Sequence, residues 1–129
     1  MPSYLNDDQV SPVGLFIWGD NGWKRFRSGA LTPASGTANA SGNTLCVTPS
    51  AGMALRLYYA SYNVLGDVTA AFRFGEAGVL WLKNTVLGNS VIAKDFGDFR
   101  YLEGEIGESL YLNLDASVTV NWNVFYLNV

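Results

Sequence analysis

From Val118 to Tyr126 every second residue is hydrophobic: Val118, Val120, Trp122, Val124 and Tyr126 alternate with Thr119, Asn121 and Asn123. A helix would spread that set around its circumference, whereas a pleated strand puts it on one side. The period recurs upstream. Met53, Leu55, Leu57 and Tyr59 share one face and Ala54, Arg56 and Tyr58 the other; Val68, Ala70, Phe72 and Phe74 oppose Thr69 and Arg73; Leu110, Leu112 and Leu114 alternate with Tyr111 and Asn113. Period two repeated through so many runs predicts β structure and leaves no place for a helix.

Turn chemistry separates the runs. Leu65-Gly66-Asp67, Gly75-Glu76-Ala77-Gly78, Leu87-Gly88-Asn89-Ser90, Phe96-Gly97-Asp98 and Gly104-Glu105-Ile106-Gly107 each carry Gly, three of them with Asp, Asn or Ser beside it, residue types suited to tight turns. The strands are expected at about 43–48, 53–63, 67–74, 79–84, 90–95, 99–103, 109–114 and 117–128. Eight strands with short, hence antiparallel, connections fold as two packed sheets. Jelly-roll and immunoglobulin-like orders both fit; the count of eight and the long last strand favour an all-β, eight-stranded antiparallel jelly-roll-like β-sandwich.

Three parts separate by composition. Residues 1–29 hold two short apolar runs around Asp20-Asn21-Gly22, residues 30–42 are small and polar without periodicity, and residues 43–129 carry the continuous β pattern. The expected organisation is an N-terminal hairpin arm, a linker and a sandwich domain. Within the arm, Asn21-Gly22 is a type I′ turn signal, with Trp18 and Trp23 placed to pair across it. Lys24, Arg25 and Arg27 put three of the chain's eight basic residues within four positions. A two-stranded hairpin is barely stable alone, so this one is expected to dock on its own domain, on a neighbouring subunit or on a partner.

The chemistry is narrowed mainly by what is missing. There is no His in the chain, which removes Ser-His-Asp and Cys-His nucleophile systems and the commonest metal ligand. Cys46 is the one cysteine; within Thr44-Leu45-Cys46-Val47-Thr48 it reads as a small buried hydrophobe, not a reactive thiol. A net charge of −3 argues against nucleic acid as a partner. No apolar run approaches the length of a membrane span, and Met1 to Asp8 lacks the basic and apolar regions of a signal peptide. With Cys46 alone no intrachain disulfide can form, so the fold is expected to be made in a reducing cytoplasm or to be indifferent to redox state. No cofactor or metal is expected. Only 15% of the residues are charged, which fits either a surface partly covered by other subunits or a polar, uncharged one.

Two clusters merit weighing as sites. Glu103, Glu105 and Glu108 surround one turn; glycoside hydrolysis needs two such carboxyls, and a solvated acidic turn needs none. Tyr58, Tyr62, Tyr101 and Tyr111 fall on faces read as outward, where they would stack against a glycan or pack between subunits. Trp122 reads as core, while Trp81 competes with Leu80 and Leu82 for the inner face.

The stretch Trp18-Gly19-Asp20-Asn21-Gly22-Trp23-Lys24-Arg25 resembles the aromatic, Asp/Asn-Gly, aromatic opening of small structural proteins of tailed bacteriophages. Ala54-Leu55-Arg56-Leu57-Tyr58-Tyr59 through Ala71-Phe72-Arg73-Phe74-Gly75 is similar to their jelly-roll repeats, as are Arg100-Tyr101-Leu102-Glu103-Gly104, Gly107 to Leu114 and Val118 to Asn121. The resemblance implies a non-enzymatic virion protein made in the host cytoplasm, a capsid decoration, head-fibre or tail-associated subunit. It implies a homotrimer whose arm is tied to the major capsid protein or another virion protein. On that reading Trp18, Trp23, Lys24, Arg25 and Arg27 are contact candidates, and a receptor-binding, glycan-binding module is the alternative.

Overall fold

The computed structural model describes residues 31–96 and 100–129, and residues 15–19 and 22–26 as backbone. In the arm, β1 (Leu15–Gly19) and β2 (Gly22–Phe26) pair antiparallel, with Trp18 opposite Trp23 and Gly19 opposite Gly22. Gly22 is thus the first residue of β2; Asp20 and Asn21, the rest of the expected turn, lie outside the described residues.

The remaining nine strands are β3 (Thr32–Ala38), β4 (Gly42–Val47), β5 (Leu55–Val64), β6 (Val68–Phe74), β7 (Trp81–Val86), β8 (Ser90–Asp95), β9 (Leu102–Glu103), β10 (Leu110–Leu114) and β11 (Val120–Asn128). They form two antiparallel sheets. One runs β4-β10-β6-β7; the other runs β3-β11-β5-β8, with the two-residue β9 also on β5. With β9 set aside, the first strand pairs the last, the second the seventh, the third the sixth and the fourth the fifth. That nesting is a long antiparallel ribbon rolled up on itself, the jelly-roll order.

The count is nine strands, not eight, because β3 occupies much of the segment expected to be a linker. Its sequence, TPASGTA, has no apolar alternation. It is a strand because β11 supplies a ladder for it over seven register pairs. Small side chains suit the place: a Cβ on Gly36 would come within 2.7 Å of the indole of Trp122, its register partner. Pro33 is tolerated because β3 lies at the sheet edge.

Between the sheets lie Leu55, Leu57, Ala60, Tyr62 and Val64 of β5, Val120, Trp122 and Val124 of β11, Ala70 and Phe72 of β6, and the three leucines of β10, all nearly inaccessible. Burying each large aliphatic side chain among them contributes roughly 1.5–3 kcal/mol. The inward positions on β5 change from odd to even between Leu57 and Ala60. Phe125 pairs with Tyr59 and Tyr126 with Leu57, so Tyr58 is the extra residue of a bulge. A slip of one residue moves every later side chain to the other face. Tyr62, expected outside, is therefore a core residue at 1% exposure, and Tyr58 is buried at 4%. Tyr59, expected to share a face with Leu57, instead pairs its ring with Phe125, centroids 5.6 Å apart.

Candidate functional site

One end of the sandwich carries Leu55, Phe74, Trp81 and Glu103; the other carries Val64, Val68, Val86 and Val120. At the first end a groove of about 340 Å³ opens between the sheets, walled by Phe74, Trp81 and Leu102 and rimmed by Glu103, Glu105 and Glu108. Each wall has a local cause. Trp81 begins β7 and lies on Phe72, centroids 5.1 Å apart and planes 23° apart, with Phe74 and Phe96 at 6.0 and 6.3 Å. It shares the inner side with Leu82 because β7 carries an extra residue: Leu82 and Lys83 stand against Ala71. The competition between Trp81 and Leu82 is settled by a bulge that admits both.

The rim is set by two turns. After β6, both Nε and Nη2 of Arg73 donate to the Gly78 carbonyl, at 2.9 and 2.6 Å, closing the turn that presents Val79 at 87% exposure. After β9, Gly104 donates to the Leu55 carbonyl at 3.0 Å and packs so closely on Phe74 that a Cβ would sit 2.7 Å from the ring. The Glu105 amide donates to the Glu108 carboxylate at 2.8 Å, and the Glu108 amide to the Glu105 carbonyl at 3.0 Å. Gly107, at φ +83°, supplies the left-handed position of this turn and leaves Ile106 72% exposed.

The three glutamates do come together, as their spacing suggested, but in unequal roles. Glu103 is held by Arg56, whose Nε lies 2.8 Å from its carboxylate. Glu108 caps the backbone of its own turn, and Glu105 is exposed. Among the described residues no group of three His, Cys, Asp or Glu side chains is arranged to hold a metal ion. Among the described residues no helix is long and apolar enough to cross a membrane.

Of the tyrosines read as outward, Tyr101 is exposed at 42% and Tyr111 half-buried, its hydroxyl 3.5 Å from Glu76. The Arg56 guanidinium lies over the Tyr101 ring, 4.1 Å from its centroid, and Tyr58 packs beside it at 5.8 Å and 58°. These rings are tilted, not coplanar. In the arm, β2 places Lys24 opposite Ile17 and Arg25 opposite Phe16; Arg27 lies outside the described residues. Cys46 is partly buried on β4, and burial pushes its thiol up to about 12 despite a hydrogen bond from the Leu112 backbone.

A second depression, about 350 Å³, lies across β10, β6 and β7 and is lined by Thr69, Lys83, Thr85, Asn113 and Asp115 among others. Its polar groups are largely matched already: the Thr69 and Thr85 hydroxyls meet at 2.9 Å, Asp115 accepts from the Thr69 amide, and Asn113 donates to Asn43. No protein-family model matches this chain, and no curated protein matches it.

Proposed function

We propose that this chain is a non-enzymatic virion structural protein, a capsid decoration or head- or tail-associated subunit. It oligomerises through its jelly roll, as a homotrimer, and docks by its N-terminal arm. The observation that carries the reading is the apolar surface left at both ends of a well-filled sandwich. Val79 and Ile106 stand exposed by the groove, and Leu65, Leu87 and Val91 at the other end are 53%, 69% and 64% exposed. At that far end the two turns touch, since a Cβ on Gly88 would lie 3.3 Å from Gly66 Cα, so Leu65 and Leu87 belong to one surface. Contiguous exposed apolar side chains mark a surface that another molecule covers.

The jelly-roll order adds an analogy of fold alone, because the same architecture serves capsid and lectin domains. Glycan binding is the competing function, and it has lost two of its four aromatics to the interior. The test is the native mass of the full-length chain by light scattering across a concentration series. A trimer is expected. A monomer at every concentration would overturn self-association and turn attention to glycan binding through Tyr101.

A further inference from the structure

The groove at the Glu103 end has the chemistry of a receptor for a basic, aromatic segment. Its floor is Phe74, Trp81 and Leu102; its rim is acidic. Glu103 has Arg56 as its counter-ion, while Glu105 and Glu108 form no ion pair among the described residues. The nearby Arg73 guanidinium is tied to the Gly78 carbonyl. The rim therefore presents net negative charge around an apolar floor.

The chain's own complement is Trp23-Lys24-Arg25-Phe26-Arg27, three cations and two aromatic rings within five residues of a protein of net charge −3. Most of it is extended backbone, the strand Gly22–Phe26. We propose that this segment of one copy docks in the groove of a neighbouring copy, a reading that rests on the self-association proposed above.

Chain reach favours the neighbour over the same chain. The sandwich begins at Thr32 on β3, and β9, which bears the acidic rim, is three strand spacings away across β11 and β5. Three spacings amount to about 14 Å, and the groove lies beyond them, toward the other sheet. The five residues 27–31 span at most about 17 Å fully extended. Docking within one chain would draw them taut across the sandwich end, whereas a neighbour's arm carries no such constraint. Arm into the next groove is a head-to-tail contact, which makes a ring when the rotation closes. Each contact is weak and salt-sensitive; the closed ring multiplies them.

The experiment uses the full chain. Unlabelled and heavy-nitrogen-labelled copies are mixed in denaturant, refolded together and treated with a carbodiimide, which joins an amine directly to a carboxylate. Peptides linking Lys24 to Glu105 or Glu108 are then sorted by isotope. Mixed-isotope links, about half of the total when copies exchange at random, are the expected result. Links within one isotope only would place the arm on its own groove and overturn the proposal. A second arm uses charge reversal: Lys24→Glu with Arg25→Glu is expected to lower the native mass to that of a monomer, and adding Glu105→Lys with Glu108→Lys to restore it, with circular dichroism confirming the fold of each. A trimer with neither links nor any response to reversal overturns this inference and leaves the proposed function standing; a monomeric parent chain overturns both.

Discussion

The hydroxyl of Tyr62 lies 2.8 Å from the carbonyl oxygen of Leu82 and 3.1 Å from that of Ala70, so one side chain of β5 reaches through the core to two backbone carbonyls of the facing sheet. Leu82 sits at φ 52°, a left-handed conformation that costs a branched side chain roughly 1–2 kcal/mol, in the bulge of β7 where the ladder is interrupted. Tyr62 gives that interrupted carbonyl a partner. Tyr62→Phe should keep the ring's packing on Phe72 and lose the bond, lowering stability by about 1–3 kcal/mol in urea unfolding. Tyr62→Ala should lose the packing as well, about 3–5 kcal/mol. A Phe variant as stable as the parent would mean that the hydroxyl does not hold the bulge.

The same residue shows where sequence reading succeeds and where it stops. The alternation in β11 and β10 is legible because each strand keeps one register with its inner neighbour across most of its length, so period two in sequence becomes one face in space. β5 has the same quality of pattern, and the alternation holds through Leu55, Arg56 and Leu57. The bulge at Tyr58 then reverses the faces, and no local residue type announces a bulge between Leu57 and Tyr59. β3 was invisible for the opposite reason: its small residues serve a partner nearly ninety positions away, not a periodicity of their own. At the site, the acidic turn was readable from spacing. The apolar floor was not, because Phe74, Trp81 and Leu102 come from three separate strands and meet only through the sheet pairing.

Gly36 and Trp122 give a direct test of β3. A methyl at position 36 would lie 2.7 Å from the indole, and neither an edge-strand backbone nor a packed ring can yield that much freely. Gly36→Ala is expected to cost about 1–3 kcal/mol, the usual range for overpacking. Combining it with Trp122→Leu should recover part of that loss relative to Trp122→Leu alone, which a double-mutant cycle by thermal unfolding would read. Simple additivity would mean that β3 does not lie against Trp122 in solution.

Cys46 and Tyr62 set an alkaline limit on stability. Burial raises the Cys46 thiol from 9.0 to about 12, and burial likewise raises the Tyr62 hydroxyl above its ordinary 10.0, against the lowering effect of Asn84. In both cases the folded chain holds its proton more tightly than the unfolded chain does. Their contribution is therefore fully present below pH 9.0 and is lost as pH rises toward 12. Unfolding midpoints should be flat with respect to these groups near neutrality and fall steadily above that pH, and Cys46→Ala should soften the fall. Cys46 should also resist alkylation in the native protein and react promptly in denaturant. Rapid native alkylation at pH 8 would contradict the burial.

Val79 and Leu87 stand at opposite ends of the sandwich, 87% and 69% exposed, and a lysine at either position should be nearly silent in the isolated fold. Surface substitutions of this kind fall within about 0.5 kcal/mol. They differ in their surroundings. Val79 lines the groove that holds Glu105 and Glu108, so Val79→Lys would both remove an apolar contact and place a cation where the basic arm is proposed to dock. Leu87→Lys would disturb only the far surface. If the arm contact closes the ring, Val79→Lys should shift the native mass toward monomer at concentrations where Leu87→Lys still gives the parent's mass, and added salt should lower the parent's own native mass. The reverse pattern, with Leu87→Lys dissociating the assembly and Val79→Lys leaving it intact, would locate the subunit contact at the Leu65–Leu87 end and remove the groove from it.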